Sequence, residues 1–564
     1  MTHVITQNCC NDAACVPVCP VNCIHPTPDE PDYATAEMLY IDPQGCIDCG
    51  ACLDVCPVGA IAPDFDLPDR FVPYLDLNAG YYEDPVRASY AQNPKRTRRR
   101  RWEADATRSL KVAIVGSGPA ACYAAEELLA QRHLGAQVDM FERLPVPGGL
   151  VRYGVAPDHQ ATKSVTDTFA RTMRRQGFRL FLNVEVGTHL THEDLMGRYH
   201  AVVYAVGAMS DRPLDIPGED LAGSHSATEF VAWYNGHPDF ADRSFDLSGE
   251  RAVVFGNGNV ALDVARVLVS DIDRLRRTDI ADHALEQLAA SAVREVVVAG
   301  RRGPAQAAFT TPELLGLVDL ADVDLVVRRD ELVVEHPQDD GDRFVMGPRK
   351  TELLRRLGTE EPARERRVTM RFLASPGEIL GSERVEGVRL LHNELVEQDG
   401  SPIARPTGAY EDLSCGLVLR SVGYRGKNVG GLPFDDTRAI LPNDHGRVLE
   451  SALGAVLPGV FVTGWIKRGP SGVIGTNKKC AKETVGALLD DFVEGRLPTP
   501  RLSDDLVDAL PEHLDLQGWR AIDRAEVQAG EASGRPRVKL TRVDDMLRTA
   551  HGGLVAAGAG SEER

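Results

Sequence analysis

Two stretches of the chain repeat one order of apolar and amphipathic segments. The first opens with the apolar run Val112–Val115, passes through a glycine turn and continues into a helix rich in Ala and Leu. The second opens with Ala252–Phe255 and repeats the strand, the turn and the helix. A short apolar run followed by helical periodicity is typical of a buried parallel strand and its crossover helix. The pattern predicts two α/β domains, each built on a parallel sheet.

The pattern is different outside these stretches. Residues 1–65 have no long hydrophobic period, and residues 66–108 mix Pro, Asp, Tyr and Arg without one, which predicts a linker. A stretch near residues 271–292 predicts helices inserted in the second α/β domain. A chain of 564 residues is too long for one core, and about one domain per 100 to 200 residues allows three or four.

Nine of the twelve cysteines fall in the first 56 residues, and their spacing is typical of iron–sulfur ligands. The group from Cys46 to Cys56 has the C-x2-C-x2-C-x3-C-P spacing of bacterial ferredoxins, in which the fourth cysteine binds the other cluster. The group from Cys9 to Cys19 repeats this frame with Asp12 in place of the second cysteine. We therefore expect residues 1–65 to form an α+β ferredoxin domain with two clusters. Exchange of the fourth cysteines assigns Cys9, Cys15 and Cys56 to the first cluster, and Cys46, Cys49, Cys52 and Cys19 to the second.

Several assignments in this module stay open. A carboxylate is a harder ligand than a thiolate, so Asp12 favours a [3Fe-4S] first cluster, with a second [4Fe-4S] cluster as the alternative. Cys10 can replace Cys9 if the loop shifts by one residue, and Cys23 is expected to be an unligated neighbour. The four-cysteine run with its closing Cys-Pro disfavours a zinc site. Residues 24–45, between the two groups, predict an ordered surface insertion.

The first glycine turn has the spacing of a dinucleotide-binding loop. Gly116 permits a tight turn, Gly118 lets a pyrophosphate approach the backbone, and Ala121 lets the helix lie close to the strand. The next apolar run, Gln137–Phe141, ends at Glu142, whose carboxylate can accept hydrogen bonds from a ribose diol. The combination favours FAD, held permanently.

The second glycine turn predicts a different nucleotide. Gly256, Gly258 and Ala261 repeat the spacing. The following strand, however, ends at Arg301 and Arg302, and not at the carboxylate that would select an unphosphorylated ribose. Arginine forks suit a phosphate, so this domain should prefer NADPH to NADH. Two such nucleotides predict hydride transfer from NADPH to a flavin, which can pass electrons singly to iron–sulfur clusters.

A third glycine-rich segment, residues 462–476, predicts a further part of the flavin site. A helix that begins near Ile474 and continues through Ala487 would direct its N-terminal N–H groups at the flavin ring. Trp465 can stack on the nicotinamide or the flavin, or can simply be a core tryptophan beside a glycine turn.

Charge and composition narrow the function further. The net charge of −20 makes nucleic acid a poor partner, and no apolar run is long enough for a membrane span or a signal peptide. Thiols committed to iron need a reducing compartment, so we expect a cytoplasmic protein; the remote Cys122, Cys415 and Cys480 suggest no disulfide. Residues 1–65 hold nine Asp or Glu and no Lys or Arg, whereas residues 95–101 are almost all Lys or Arg. That run is interpreted as a solvated linker, a polyanion-binding patch or a seat for the acidic module.

Residues 111 to about 550 resemble the adrenodoxin reductase type of ferredoxin–NADP reductase. With the N-terminal ferredoxin, about 90% of the chain is similar to the fused ferredoxin/ferredoxin–NADP reductases of actinobacteria. The strings that carry the resemblance are residues 115–120, 147–159, 256–263, 300–304, 464–470 and 534–540.

The resemblance implies a domain plan and a set of site residues. FAD would be bound by a discontinuous domain of residues 109–210 and 430–550, NADPH by an inserted domain of residues 211–429, and residues 551–564 would form a tail. FAD contacts would be Ala120, Glu142, Leu150, Val186, Trp465, Gly472, Val473 and Ile474. NADPH contacts would be Gly256, Asn257, Gly258, Asn259, Arg301, Arg302, Glu313 and Gly472. His159 and Asp263, with Trp465, would act at the reacting end, the first two in proton handling or partner coupling.

Two departures from the family pattern limit the transfer. Gly148 stands where the family often has Phe, which affects local packing. Adrenodoxin is a separate [2Fe-2S] protein, whereas this chain carries its own multi-iron module, so the partner stays open between the fused clusters, a separate ferredoxin and a downstream redox enzyme.

Other functions fit the residues less well. An electron-input protein like the glutamate synthase small subunit would need a large partner, and an electron carrier with an inert reductase body would not need two intact glycine loops. A disulfide reductase would need a C-x2-C pair near the flavin, and none lies beyond residue 56. The direction of electron flow depends on cluster potentials, which span roughly −700 to +450 mV.

Overall fold

The computed structural model describes residues 1–90, 102, 109–332, 346–502, 504 and 506–559. The basic run at residues 95–101 and the last residues of the predicted tail lie outside these ranges. None of the helices in the described ranges combines the length and the apolar character that a membrane span requires.

The N-terminal module extends to residue 90, further than expected. Its elements are β1 (His3–Ile5), β2 (Ile24–His25), β3 (Tyr40–Ile41), α1 (Ala51–Val55), β4 (Ile61–Pro63), α2 (Pro73–Tyr81) and α3 (Pro85–Tyr90). β1 pairs with β4 and β2 with β3, both antiparallel. We call residues 1–90 the cysteine module.

The linker prediction was wrong for residues 73–90, which form helices α2 and α3. Helix α2 buries Tyr74, Leu77 and Tyr81 against the module, at the i, i+3 and i+7 spacing of one helical face. Its buried Asn78 accepts hydrogen bonds from the backbone N–H groups of Ile5 and Ile41 at 3.2 and 2.9 Å. The segment was misread because its buried face is built from tyrosine and asparagine as well as aliphatic residues.

Residues 24–45 are ordered, as expected, but they are not only a surface insertion. Ile24, Tyr33, Leu39 and Ile41 are each 1% exposed and belong to the module core. The insertion therefore stabilises the module, because its apolar side chains fill the space beside the cysteine loops.

The first nucleotide domain is built on a seven-stranded sheet from two separate parts of the chain. Its first part contains β5 (Lys111–Val115), α4 (Pro119–Ala130), β6 (Gln137–Glu142), α5 (Leu150–Tyr153), α6 (Gln160–Lys163), α7 (Thr166–Met173), β7 (Phe178–Leu182), α8 (His192–Arg198), β8 (Ala201–Tyr204) and β9 (Ser210–Asp211). The sheet order is 20-21-22-8-5-6-7 in the strand numbers used here, and strands 22, 8, 5, 6 and 7 are parallel.

The second nucleotide domain is inserted after β9. Its elements are β10 (Ser224–Ser226), α9 (Ala227–Tyr234), β11 (Arg251–Phe255), α10 (Asn259–Val269), α11 (Ile272–Arg276), α12 (Asp282–Ala289), β12 (Glu295–Ala299), α13 (Thr311–Val318), β13 (Val323–Val327), α14 (Met346–Leu357), β14 (Arg366–Arg371), β15 (Ala374–Leu380), β16 (Gly387–Gln398), β17 (Ser401–Ser414) and β18 (Leu417–Arg420). A parallel six-stranded sheet has the order 10-18-11-12-14-13, and β15–β17 form a separate antiparallel sheet.

The chain then returns to the first nucleotide domain. This part contains β19 (Tyr424–Arg425), β20 (Asn443–Asp444), β21 (Arg447–Leu449), β22 (Val456–Val462), α15 (Trp465–Arg468), α16 (Thr476–Val493), α17 (Leu516–Ala532) and α18 (Val543–Ala559). β19 pairs with β9, so the outgoing and returning connections between the two domains lie side by side.

The cysteine module shares a core with the first nucleotide domain. Buried side chains of the module, such as Val4 and Tyr74, belong to the same continuous apolar cluster as Val112 of β5 and Leu488 of α16. An apolar interface of this kind excludes water and holds the two bodies together.

Candidate functional site

The first glycine loop lies at the carboxyl end of β5, and its two glycines meet different surroundings. Gly116 has φ +102°, and a Cβ there would lie 2.6 Å from the carbonyl oxygen of Ala205. A Cβ on Gly118 would meet no atom within 4 Å, and Gly118 caps α4 without a side-chain hydrogen bond. The loop is therefore closed towards the protein and open at the helix N-terminus, where backbone N–H groups can bind a phosphate.

The carboxylate of Glu142 is held beside this loop. Its Oε2 accepts hydrogen bonds from the backbone N–H and the hydroxyl of Ser117 at 3.1 and 2.7 Å. The backbone N–H of Leu144 donates to the other oxygen at 3.1 Å. Val186 follows on the same edge, since the N–H of Val184 donates to the Glu142 carbonyl at 2.9 Å.

Two further segments converge on the first loop. A Cβ on Gly149, which precedes Leu150, would lie 3.0 Å from the Cα of Gly118. A Cβ on Gly464, which precedes Trp465, would lie 2.7 Å from the Cβ of Ala120. The structure thus brings Ala120, Leu150 and Trp465 to one end of helix α4.

The segment from Trp465 to helix α16 differs in detail from the prediction. Helix α16 begins at Thr476 and ends at Val493, so Val473 and Ile474 precede it. The Trp465 indole N–H donates to the carbonyl of Ser471 at 3.1 Å, and Gly472 has φ +78°. The tryptophan is half-buried, and its ring centroid lies 5.3 Å from that of Tyr424.

The second glycine loop repeats the geometry of the first. Gly256 has φ +111°, and a Cβ there would lie 2.1 Å from the carbonyl oxygen of Ser421, whereas a Cβ on Gly258 would meet nothing within 4 Å. The side chain of Asn259, at the start of α10, accepts a hydrogen bond from the N–H of Thr310 at 2.7 Å. The carbonyl of Asn257 accepts one from the N–H of Phe309 at 2.8 Å.

Arg301 and Arg302 lie beyond the carboxyl end of β12, the strand next to β11. The N–H of Gly256 donates to the carbonyl of Ala299, the last residue of β12, at 2.9 Å. Arg301 is exposed, and its carbonyl accepts a hydrogen bond from Asn393 at 3.0 Å. The two arginines are therefore presented at the edge of the sheet that carries the second glycine loop.

A buried charge cluster lies where the two domains meet. His159, Asp263 and Glu313 bring one ring nitrogen and two carboxylate oxygens within 4.8 Å of one another. Arg266 donates to Asp263 at 2.7 Å and to Asp158 at 2.9 Å, and it lies 3.7 Å from Glu313. Within the described ranges Glu313 Oε2 is buried and has no hydrogen-bond partner.

Burial and the surrounding charges shift the pKa values of two groups in this cluster. Burial and the charge of Glu313 raise the pKa of Asp263 well above its ordinary value, and Arg266 only partly opposes this. Burial and the positive charge of Arg266 lower the pKa of His159. The imidazole is therefore neutral at pH 7, with a pair of carboxyl groups beside it.

The cysteines of the module line two cavities. The first contains Cys9, Cys10, Asp12, Cys15 and Cys56, with about 280 Å³ not filled by protein atoms. The second contains Cys19, Cys23, Cys46, Cys49 and Cys52, with about 290 Å³. Cys56 therefore lies with the first group of cysteines and Cys19 with the second. No disulfide links any of the cysteines in the described ranges, Cys122, Cys415 and Cys480 included.

Backbone N–H groups point at several of the sulfur atoms. The N–H of Leu39 donates to Cys9 Sγ at 3.5 Å, and that of Ala60 donates to Cys56 Sγ at 3.2 Å. In the second cavity the N–H of Cys23 donates to Cys19 Sγ at 3.4 Å. Hydrogen bonds to sulfur are among the factors that set the potential of an iron–sulfur cluster.

The carboxylate of Asp12 is occupied by other groups. Its Oδ1 accepts a hydrogen bond from the N–H of Ala14 at 3.1 Å, and its Oδ2 lies 3.5 Å from the Lys478 ammonium of α16. The thiol of Cys10 is buried and lines the same cavity.

The loop of the first cavity touches the segment that ends beside Ile474. The N–H of Gly475 donates to the carbonyl of Cys10 at 2.7 Å. A Cβ on Gly475 would lie 2.0 Å from the carbonyl carbon of Asn11. The first cavity therefore faces the first nucleotide domain. Cys49 of the second cavity is exposed.

Sequence reasoning missed several residues of this region. Arg266 could have been found from its i, i+3 spacing to Asp263 on one helix. Gly475 and Glu37, a residue of the insertion that reaches helix α13, gave no signal, because their partners lie hundreds of positions away.

Two family models match the chain. The 4Fe-4S dicluster domain matches residues 8–60, and the pyridine nucleotide-disulphide oxidoreductase model matches residues 110–302.

Relatives match nearly the whole length. A probable ferredoxin/ferredoxin–NADP reductase of Mycobacterium tuberculosis is 51% identical, with 98% of this chain and 95% of that protein covered. Its counterpart in Mycobacterium leprae is 50% identical, with 98% of each chain covered. The solved structure of Mycobacterium tuberculosis FprA in complex with NADPH is similar at 48% identity and a TM-score of 0.74, covering 78% of this chain and 100% of FprA.

Proposed function

Since the chain belongs to the family of ferredoxin/ferredoxin–NADP reductases, we propose that it passes electrons between NADPH and its own cysteine module within one molecule. The family consists of FAD-dependent oxidoreductases with ferredoxin–NADP⁺ reductase activity. When bound, FAD would exchange an electron pair with NADPH and single electrons with iron–sulfur clusters. The direction of net transfer depends on the cluster potentials.

The residues of the first nucleotide domain fit FAD. Gly118 leaves space for a pyrophosphate at the N-terminus of α4, and Glu142, held by Ser117, can accept hydrogen bonds from a ribose. Leu150 and Trp465 would contact the same ligand from the converging segments. Further contacts are assigned to Ala120, Val186, Gly472, Val473 and Ile474.

The residues of the second nucleotide domain fit NADPH. The open space at Gly258 suits its pyrophosphate, and Arg301 with Arg302 suits its 2′-phosphate. Glu313 and His159 lie on facing elements of the two domains, 3.8 Å apart, and would position the nicotinamide end. We assign Asp263 to the control of charge and protons around them.

The two cysteine cavities fit iron–sulfur clusters. We assign Cys9, Cys15 and Cys56 to the first cluster, and Cys19, Cys46, Cys49 and Cys52 to the second. The engagement of Asp12 by Ala14 and Lys478 supports a three-iron first cluster. Thiolates bound to iron suit a reducing compartment, which supports the cytosol.

The contact of Gly475 with Cys10 and Asn11 carries the proposal of internal transfer. It brings the first cysteine loop directly against the segment assigned to the flavin, while Cys49 of the second cavity is exposed to solvent. We therefore infer that the first cluster exchanges electrons with the flavin side and the second with an external partner.

The experiment is Gly475→Ala. Gly475 has φ −70°, so alanine causes no backbone strain, but its Cβ would collide with the module backbone and displace the first cysteine loop. We expect NADPH to reduce the clusters several-fold more slowly, because electron transfer slows as the gap between donor and acceptor widens. Anaerobic stopped-flow absorbance would follow flavin and clusters together, after flavin and iron contents are shown to be normal.

The control is Gly430→Ala, where a Cβ would meet no atom within 4 Å. It should reduce its clusters at the wild-type rate. Internal transfer is refuted if Gly475→Ala reduces its clusters as fast as this control, or if NADPH reduces the wild-type flavin and leaves the clusters oxidised.

A further inference from the structure

The insertion of residues 24–45 reaches the second nucleotide domain through one carboxylate. Glu37 Oε2 accepts a hydrogen bond from the backbone N–H of Thr311 at 2.7 Å. The other oxygen lies 2.6 Å from the ammonium of Lys350, and the two side chains are only 10% and 9% exposed. An ion pair so shielded from water is screened little by salt.

Thr311 is the first residue of helix α13, and this helix end depends on other segments. Thr310, at the N-cap position, makes no side-chain capping hydrogen bond. The backbone N–H of Thr310 donates to Asn259 of the second glycine loop, and that of Thr311 donates to Glu37. A carboxylate at this place satisfies a free N–H group and interacts favourably with the helix dipole.

Helix α13 carries Glu313 in its first turn. Asn259 and Glu37 hold the backbone at the start of this helix. They therefore also fix where Glu313 lies relative to His159. This step rests on the proposed NADPH site, in which Glu313 and His159 receive the nicotinamide end.

The residues that flank Glu37 hold the loop of the first cavity. The Asn11 side-chain amide donates to the carbonyl of Ala36 at 2.9 Å, and the N–H of Leu39 donates to Cys9 Sγ. Four consecutive residues of the insertion thus connect the first cysteine loop with helix α13.

We propose that Glu37 is a positioning residue through which the docked cysteine module tightens NADPH binding in the second nucleotide domain. The coupling is reciprocal by thermodynamic linkage, so the bound nucleotide also favours the seated insertion. The glycine loop and the arginines bind nucleotide without it, so its removal weakens binding and does not abolish it.

The test compares Glu37→Ala and Glu37→Gln in the full-length holoprotein. We expect Glu37→Ala to raise the Kd for NADP⁺ about tenfold, the factor for losing roughly 1.4 kcal/mol from a charged hydrogen bond. Glu37→Gln keeps an acceptor oxygen for Thr311 and should have a smaller effect. The Kd is read from flavin absorbance changes in the oxidised protein, which needs no electron transfer. With ferricyanide as acceptor, the KM for NADPH should rise by a similar factor while kcat changes by less than about twofold, as expected for lost binding.

The matched control is Glu83→Gln. Glu83 also belongs to the module and pairs at 2.7 Å with Arg349, the neighbour of Lys350, but it does not touch helix α13. The Glu83→Gln variant should bind NADP⁺ with the same Kd as the wild type. The proposal is overturned if Glu37→Ala leaves the Kd unchanged, or if Glu83→Gln weakens binding as much. Failure of internal transfer would instead appear as oxidised clusters with a normal Kd.

Discussion

The assignment of Arg301 and Arg302 to the 2′-phosphate of NADPH can be tested by replacing these two side chains alone. Replacing both with alanine should raise the KM for NADPH far more than that for NADH, because only NADPH carries the 2′-phosphate. Each lost charge-assisted contact should cost on the order of 1.5 to 3 kcal/mol, towards the lower limit at this exposed edge. Steady-state kinetics with both nucleotides gives the ratio.

Arg294→Ala is the control for this pair. Arg294 immediately precedes β12, at the end of the strand opposite to Arg301 and Arg302. Its Nε lies 2.8 Å from a carboxylate oxygen of Glu365. It should leave the preference between nucleotides unchanged. Equal losses for NADPH and NADH in the double variant would refute phosphate recognition.

The three-iron composition that we propose for the first cluster depends on the residue at position 12. Asp12→Cys supplies a fourth thiolate beside Cys9, Cys15 and Cys56, so a three-iron cluster should become a [4Fe-4S] cluster. Low-temperature EPR of the oxidised protein should lose the three-iron signal, and the iron content should rise by about one atom per chain.

Asp12→Asn is the comparison, since it removes the charge and adds no thiolate. Its oxidised protein should keep the three-iron signal. A wild-type protein without this signal, or an unchanged spectrum in Asp12→Cys, would contradict the assignment.

At the scale of residues, the sequence predicts the class of chemistry where candidate ligands are close along the chain, and the family models for residues 8–60 and 110–302 agree with that class. The spacing of Cys46 to Cys56 and the two glycine loops needed no tertiary information. Glu37 could not be predicted, because its partner Thr311 is 274 positions away and nothing local distinguishes it from a solvated carboxylate.

The charge cluster around Arg266 of helix α10 leads to a prediction about how stability depends on pH. Three carboxyl groups, Asp158, Asp263 and Glu313, and the imidazole of His159 surround Arg266, and the pKa of Asp263 is raised. A raised carboxyl pKa gives stability that is complete below the ordinary value of about 4 and is lost as pH rises through the raised value.

Asp263→Asn removes this dependence, since an amide does not ionise. The thermal midpoint of the variant relative to wild type should therefore be higher at pH 8 than at pH 5. Flavin fluorescence on unfolding gives the two midpoints, and an equal difference at both pH values would show that Asp263 does not titrate with a raised pKa.

Elements were predicted best where they repeat one simple pattern. The strand, glycine turn and helix were anticipated in both nucleotide domains because apolar runs and glycine spacing are local. Helices α2 and α3 were missed because their mixed aromatic and polar face gains its stability only from packing on the module. Helix α16 begins two residues later than expected, since Gly475 turns towards the cysteine loop.

At the scale of the whole molecule, the described ranges form three bodies held by contacts that the sequence does not reveal. Acidic residues of the module meet basic residues of the other two: Asp12 lies near Lys478, Glu37 near Lys350 and Glu83 near Arg349. The charge asymmetry between the module and the rest was visible in composition. Which residues meet could not be deduced, because the basic side chains that seat the module are scattered through two domains.

The backbone contact between Gly475 and Cys10 has a consequence for a cell that contains few copies of the protein. When donor and acceptor are separate proteins, their encounter is bimolecular, and tenfold dilution of both slows it a hundredfold. In the internal transfer that we propose, the acceptor is already seated on the donor, and a covalent connection keeps its effective concentration high even after a transient separation. Turnover per molecule should therefore not depend on how many copies a cell contains, until the electron must leave the module for another protein.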